Sequence, residues 1–155
     1  IEDNIAAKVL LDKESPFLKS VILGKGSRSG IKKGMPVVNE NFLIGRVVEV
    51  NYLSSRVLLL NDLNSKIPIV LEKTAIHGIL AGTGSNKPKI EYLPEGFELT
   101  EGSTVFTSGK DGIFPPGIPI GKTVVEDNLV KVKLFSDSNQ LSFVNVILIN
   151  SEERF

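Results

Sequence analysis

Short runs of Val, Ile, Leu and Phe recur along the chain with turn residues between them, the pattern of an all-β sandwich or barrel. The spacing predicts strands over 5–11, 19–24, 36–39, 43–50, 55–60, 66–72, 76–82, 88–93, 103–107, 119–126, 130–135 and 143–149, with helix nearly absent. The alternation is cleanest where Val130, Val132 and Leu134 fall on one face and Lys131 and Lys133 on the other, the period of two of a half-buried strand. Val144, Val146 and Leu148, offset from Asn145, Ile147 and Ile149, make a strand apolar on both faces, which predicts a central position.

Glycine and proline punctuate this pattern. Gly30 and Gly34 bracket Ile31-Lys32-Lys33, Pro36 opens a strand, and Gly45 interrupts the apolar run that ends at Val50. Glycines so placed suit turns of positive φ or close backbone approach at barrel corners. A faint repeat follows from the same punctuation. Ile31–Val38 is echoed by Leu99–Phe106, and Ile44–Glu49 by Ile120–Glu126, with a longer connection in the second copy that holds the Phe114-Pro115-Pro116-Gly117 turn. Chance resemblance between β-turn-β units would give the same echo. Taken as a true repeat, it predicts two small β-barrels packed side by side: a lead-in segment with the first strands over 1–24, one barrel over 25–85 and a second over 86–155, with strands free to be exchanged between them.

Composition narrows the chemistry. At 155 residues the chain can bury roughly 70% of its unfolded surface, so it needs neither disulfide nor metal to fold. Eighteen basic residues balance eighteen acidic ones, which leaves no net field to draw a polyanion and argues against nucleic acid. No cysteine and a single histidine, His77, argue against zinc, and Asp62-Leu63-Asn64 lacks the continuation of a calcium loop. No cofactor is expected. No apolar run approaches the ~18 residues that a membrane-spanning helix needs. The chain opens Ile-Glu-Asp-Asn, so any anchor or signal is expected upstream.

Three motifs invite catalytic readings and fail them. Gly121-Lys122-Thr123 has Pro116 where a phosphate loop needs glycine, and a strand rather than a helix follows it. Gly24–Gly30 has Ser29 at the third glycine position of the dinucleotide fingerprint. Thr107-Ser108-Gly109 lies in a predicted double barrel that also contains His77, yet the residues around Ser108 lack the setting of a serine-protease nucleophile. The residues point instead to exposed apolar side chains at turns. Phe42 follows Asn39-Glu40-Asn41, and Tyr52-Leu53 follows Asn51. Such residues either meet a partner or fold back as plugs over a barrel mouth.

Several ordered blocks carry a resemblance: Gly26–Val38, Ile44–Val50, Ser54–Leu60, Asn64–Pro68, Gly78–Leu80, Glu91–Pro94, Thr107–Gly109 and Gly112–Gly121. From about Ala7 to Ile149 the chain resembles the extracytoplasmic C-terminal domain of the rod shape-determining protein MreC family. Lys110-Asp111 departs from the apolar residue and glycine usual there, which bears on the local turn. The resemblance implies two six-stranded-type β-barrels, arranged as in chymotrypsin-like proteases but without catalytic residues. It gives Gly30, Gly34, Pro36, Gly45, Gly109, Phe114, Pro115, Pro116, Gly117 and Gly121 structural roles. It also implies a scaffold of the elongation machinery, anchored by an upstream helix on the extracytoplasmic, periplasmic face of the membrane. The implied partners are a class B penicillin-binding protein, MreD, RodZ and MreB, with self-association into dimers or filaments. A β-barrel serine hydrolase, degenerate or active, and a cell-wall carbohydrate-binding module remain the alternatives.

Overall fold

The computed structural model describes residues 3–11, 19–98, 100–112 and 114–148. Its strands are β1 (Asn4–Leu11), β2 (Ser20–Leu23), β3 (Pro36–Asn39), β4 (Phe42–Val50), β5 (Ser55–Leu59), β6 (Lys66–Leu71), β7 (His77–Ala81), β8 (Lys89–Glu91), β9 (Thr104–Thr107), β10 (Pro119–Glu126), β11 (Leu129–Leu134) and β12 (Phe143–Ile147). Each falls where the apolar runs place a strand. The only helical pieces among the described residues are single 3-10 turns at Ser27–Ser29 and Ser138–Gln140.

The strands close into two all-antiparallel six-stranded barrels. Around the first the order is β1-β12-β3-β4-β5-β2, and around the second β10-β11-β8-β7-β6-β9. The expected division at residue 85 needs correction: among the described residues one compact unit is Leu60–Ser136, and the segment from Asp137 to Leu148 returns to the first barrel. The physical reason is edge availability. β5 already has both edges filled, by β4 and β2, so β6 finds no place in the first barrel and pairs with β7 and β9. β12, expected in the second barrel, fills the gap in the first by pairing Asn4–Lys8 on one side and Val37 and Val38 on the other.

Closure buries one face of each strand. Ala7, Leu23, Val37, Val47, Val57 and Val146 fill the first barrel; Ile67, Leu71, Leu80, Val105, Ile120 and Val132 are buried on strands of the second. On β11 the alternation behaves as its pattern requires, with Val130 and Val132 buried and Lys133 exposed.

The repeat has a structural counterpart. In the first barrel Val37 lies opposite Gly45 and Val38 opposite Leu43, which leaves Ile44 as an extra residue. In the second, Val105 lies opposite Gly121 and Phe106 opposite Pro119, which leaves Ile120 extra. These are matching β-bulges, the usual device for bending a strand at a barrel corner. At both, a Cβ on the glycine would strike a neighbouring carbonyl oxygen: 2.1 Å from Leu58 O at Gly45, and 2.3 Å from Lys133 O at Gly121. Glycine is required here by close approach, not by positive φ.

The connections beside the bulges differ. β3 and β4 join through Glu40-Asn41 at φ 52° and 72°, the two left-handed residues of a tight I′ hairpin. β9 and β10 join through a long loop held by buried Thr107. Its hydroxyl donates to Pro115 O at 2.8 Å and accepts from Ile118 N at 2.9 Å, while Phe114 is buried beneath. Gly109 and Gly112 take positive φ, and Asp111 accepts from Phe114 N, so the unusual Lys110-Asp111 pair sits in an ordered turn.

Candidate interaction surface

The sequence offers Phe42, Tyr52 and Leu53 as exposed apolar residues, and the structure separates them. Phe42 opens β4 opposite Asn39 and is half-buried, because the I′ turn consumes only Glu40 and Asn41. It is a strand residue rather than a loop tip. Tyr52 and Leu53 occupy the β4–β5 turn at 64% and 60% exposure, so they are not plugs.

Ile31 is buried in the core of the first barrel together with Met35, on the segment that leads from β2 to β3. The same segment grips the β4–β5 turn. Ser27 N donates to Asn51 O at 2.9 Å, Arg28 N donates to Tyr52 O at 3.0 Å, and Ser55 Oγ donates to Lys25 O at 2.8 Å. Within the turn, Asn51 N donates to Ser54 O at 2.8 Å. Gly26 makes this grip possible, since a Cβ there would lie 2.0 Å from Asn51 O. Gly30, at φ 92°, ends the 3-10 turn, and Gly34, at φ 93°, donates its amide to Val47 O at 2.8 Å. The result is an aromatic and an aliphatic side chain in water on a turn whose backbone is tied down. Exposed anchors on a pre-ordered backbone bind at low entropic cost.

The hydrolase reading finds no support in the geometry. Ser108 Oγ accepts from Lys110 N, and His77 is exposed at the start of β7; no hydrogen bond joins the two among the described residues. Likewise, no group of three or more metal-ligating side chains occurs among the described residues.

The second barrel carries a band of ion pairs on its outer face. Lys66 Nζ donates to Glu91 Oε1 at 2.8 Å, with Lys89 near the other oxygen at 3.4 Å. Lys87 pairs with Glu126, which Lys131 also approaches at 3.8 Å. The hydrogen bond from Lys66 holds the Glu91 carboxyl below its ordinary value and lifts Lys66 above its own; that from Lys87 lowers Glu126 in the same way.

The two most exposed of the aromatics that escaped the sequence reading are Tyr92 and Phe143. Tyr92 is 81% exposed just after β8, at φ 63°, and Phe143 is 62% exposed at the start of β12, opposite Lys8. Phe143 stands next to Val144 in an apolar run, and only the pairing shows that it faces outward.

Comparison with known proteins accords with the fold. The barrel-core model of rod shape-determining protein MreC matches residues 9–148. A cell shape-determining protein MreC of Caulobacter vibrioides is 40% identical over 144 residues, 92% of this chain and 42% of that protein. The chain spans less than half the length of the curated relatives it matches. A crystal structure of the major periplasmic domain from the cell shape-determining filament MreC aligns with a TM-score of 0.83 at 25% identity, over 97% of this chain and 100% of that one. The fold also matches, at a TM-score of 0.73 and 17% identity over 95% of this chain and 99% of that one, a chain in the complex between penicillin-binding protein PBP2 and MreC from Helicobacter pylori.

Proposed function

The chain belongs to the rod shape-determining protein MreC family, a family of cell-shape proteins rather than enzymes, and from that premise we propose that it scaffolds cell-wall elongation. It binds the class B penicillin-binding protein of the elongation machinery on the extracytoplasmic side of the membrane, held there by an upstream anchor. The observation that carries this reading is the family match over residues 9–148, joined to a relative of the same fold that is complexed with PBP2. Binding a non-catalytic region of the synthase more tightly in its active arrangement raises that state's population, and differential affinity suffices for such a shift. Self-association into dimers or filaments, and contact with MreD, RodZ and, through the membrane, MreB, complete the proposed assembly.

The test is titration of the purified chain against the class B penicillin-binding protein of the same cell, reading binding and transpeptidase turnover together. The expected result is saturable binding with a rise in turnover. Binding without any rise would leave a scaffold that positions the enzyme but does not activate it, and absence of binding would refute the reading.

A further inference from the structure

The segment that grips the Tyr52-Leu53 turn is also the most one-sidedly charged stretch of the first barrel. Between Gly24 and Pro36 it holds Lys25, Arg28, Lys32 and Lys33 and no carboxylate. All four are exposed, and none has an ion pair among the described residues. Glu49, on the strand that leads into the turn, is already engaged by Arg56 at 3.5 Å. In a chain of zero net charge, four uncompensated cations on one segment make a local field rather than a global one.

Hydrogen bonds fix where the backbone of this segment runs. Arg28 N bonds Tyr52 O and Lys25 O accepts from Ser55, so both residues lie beside the turn. Lys32 and Lys33 stand between buried Ile31 and Gly34, whose amide bonds Val47 O on β4. Two apolar anchors thus share a rim with Lys25 and Arg28, and Lys32 and Lys33 lie farther along the same segment, level with Val47 on β4.

We propose that this rim is the docking face of the first barrel, and that its occupant is an acidic segment of a partner protein with an apolar recess for Tyr52 and Leu53. The proposal rests on the scaffold reading above and adds to it the face and the partner's chemistry. Charge complementarity calls for carboxylates on the partner, which also raise the association rate. A tyrosine beside an arginine on an ordered backbone has the composition of an interface hot spot. A bilayer suits the rim less well, because interfacial membrane binding draws on a broad apolar face and here two side chains form the tip.

The experiment titrates the chain against the purified class B penicillin-binding protein and, separately, against vesicles with and without phosphatidylglycerol. Three variants accompany the wild type: Lys25→Glu with Arg28→Glu, Lys32→Glu and Lys33→Glu; the same four positions changed to Gln; and Tyr52→Ser with Leu53→Ser. Circular dichroism melts exclude any variant that fails to fold, and the Gln set supplies the charge test if the Glu set does. The proposal expects affinity to fall with added salt, and to fall by about tenfold or more in both the charge and the tip variants. Undiminished affinity in the charge variants would overturn it while leaving the scaffold reading intact, whereas no wild-type binding would overturn both. Binding to phosphatidylglycerol vesicles that the Glu set abolishes, with affinity for the enzyme unchanged, would assign the rim to the membrane and overturn the proposal.

Discussion

The two barrels are built alike and completed differently. Each has a strand, a bulge and two further strands in the same order, β3-β4-β5 and β9-β10-β11, with a buried isoleucine at the bulge and a glycine pressed against a carbonyl. The second barrel draws all six strands from one continuous stretch, whereas the first waits for β12, which the chain supplies only after the second barrel is made. Going round the barrels from the bulge strands, β12 takes the place in the first that β6 takes in the second. The first is therefore the same barrel with its opening strand moved to the end of the chain. Continuity makes a barrel independent and permutation makes it dependent, because a barrel that lacks one strand exposes two unpaired edges.

The largest expected effect breaks the comparison at that point. Ending the chain after Ser136 removes Val144 and Val146 from the core of the first barrel and unpairs β1 and β3. We expect the first barrel to lose its dispersed amide resonances in NMR spectra while Leu60–Ser136 keeps its own, and Leu60–Ser136 expressed alone to melt cooperatively. A truncated chain with both barrels intact would show that closure by β12 is dispensable.

Next come the bulge glycines. Gly45→Val and Gly121→Val each force a branched side chain against a carbonyl oxygen, and each should cost about 3 kcal/mol, read as a lowered Tm. Hydrogen exchange should place the first loss in the first barrel and the second in Leu60–Ser136. An unchanged melt in either would end the equivalence of the two positions.

These two predictions separate what the sequence showed from what it could not. Strand positions were legible because period-two burial writes itself into residues such as Val130, Lys131 and Val132. The glycines at Ile44-Gly45 and Ile120-Gly121 were legible as bends of close backbone approach, whereas the extra residue that makes each a bulge shows only in the pairing. Barrel membership was not, because it depends on which strand edges remain free, and nothing local in Lys66–Leu71 states that both edges of β5 are taken. Of the candidate surface, Tyr52-Leu53 was legible as an apolar pair in a turn, whereas Phe42 was misplaced by the two residues of the I′ turn. The grip of Gly26–Arg28 on that turn is a contact between distant segments, and no spacing in the sequence reports it.

A smaller effect sharpens the contrast between the connections. Thr107→Val strands Pro115 O and Ile118 N without their hydroxyl partner and should cost about 1–3 kcal/mol, confined to the second barrel. Exchange rates in the first barrel should stay as they were. Equal loosening of both would argue that the barrels are coupled rather than separate units.

Smallest is the pH response of the ion-paired band. Glu91 and Glu126 have folded-state pKa values below the ordinary 4.5, so their pairing stabilises above that value and is lost as the pH falls through the lowered folded-state values. Lys66 works in the opposite sense, stabilising below its ordinary 10.5 and losing its contribution as the pH rises past it. Glu91→Gln with Glu126→Gln should flatten the acid limb of the melting curve for the second barrel alone, by a modest amount because both carboxylates are partly exposed. An acid limb identical to that of the wild type would show that other carboxylates dominate it.

The central claim is that the docking face belongs to the first barrel and not to the second. Hydrogen–deuterium exchange of the whole chain, with and without the class B penicillin-binding protein, tests this most directly. The account predicts that the partner slows exchange in Gly24–Met35 and Asn51–Ser54 and leaves Leu60–Ser136 unchanged. Slowing confined to Leu60–Ser136 would contradict it.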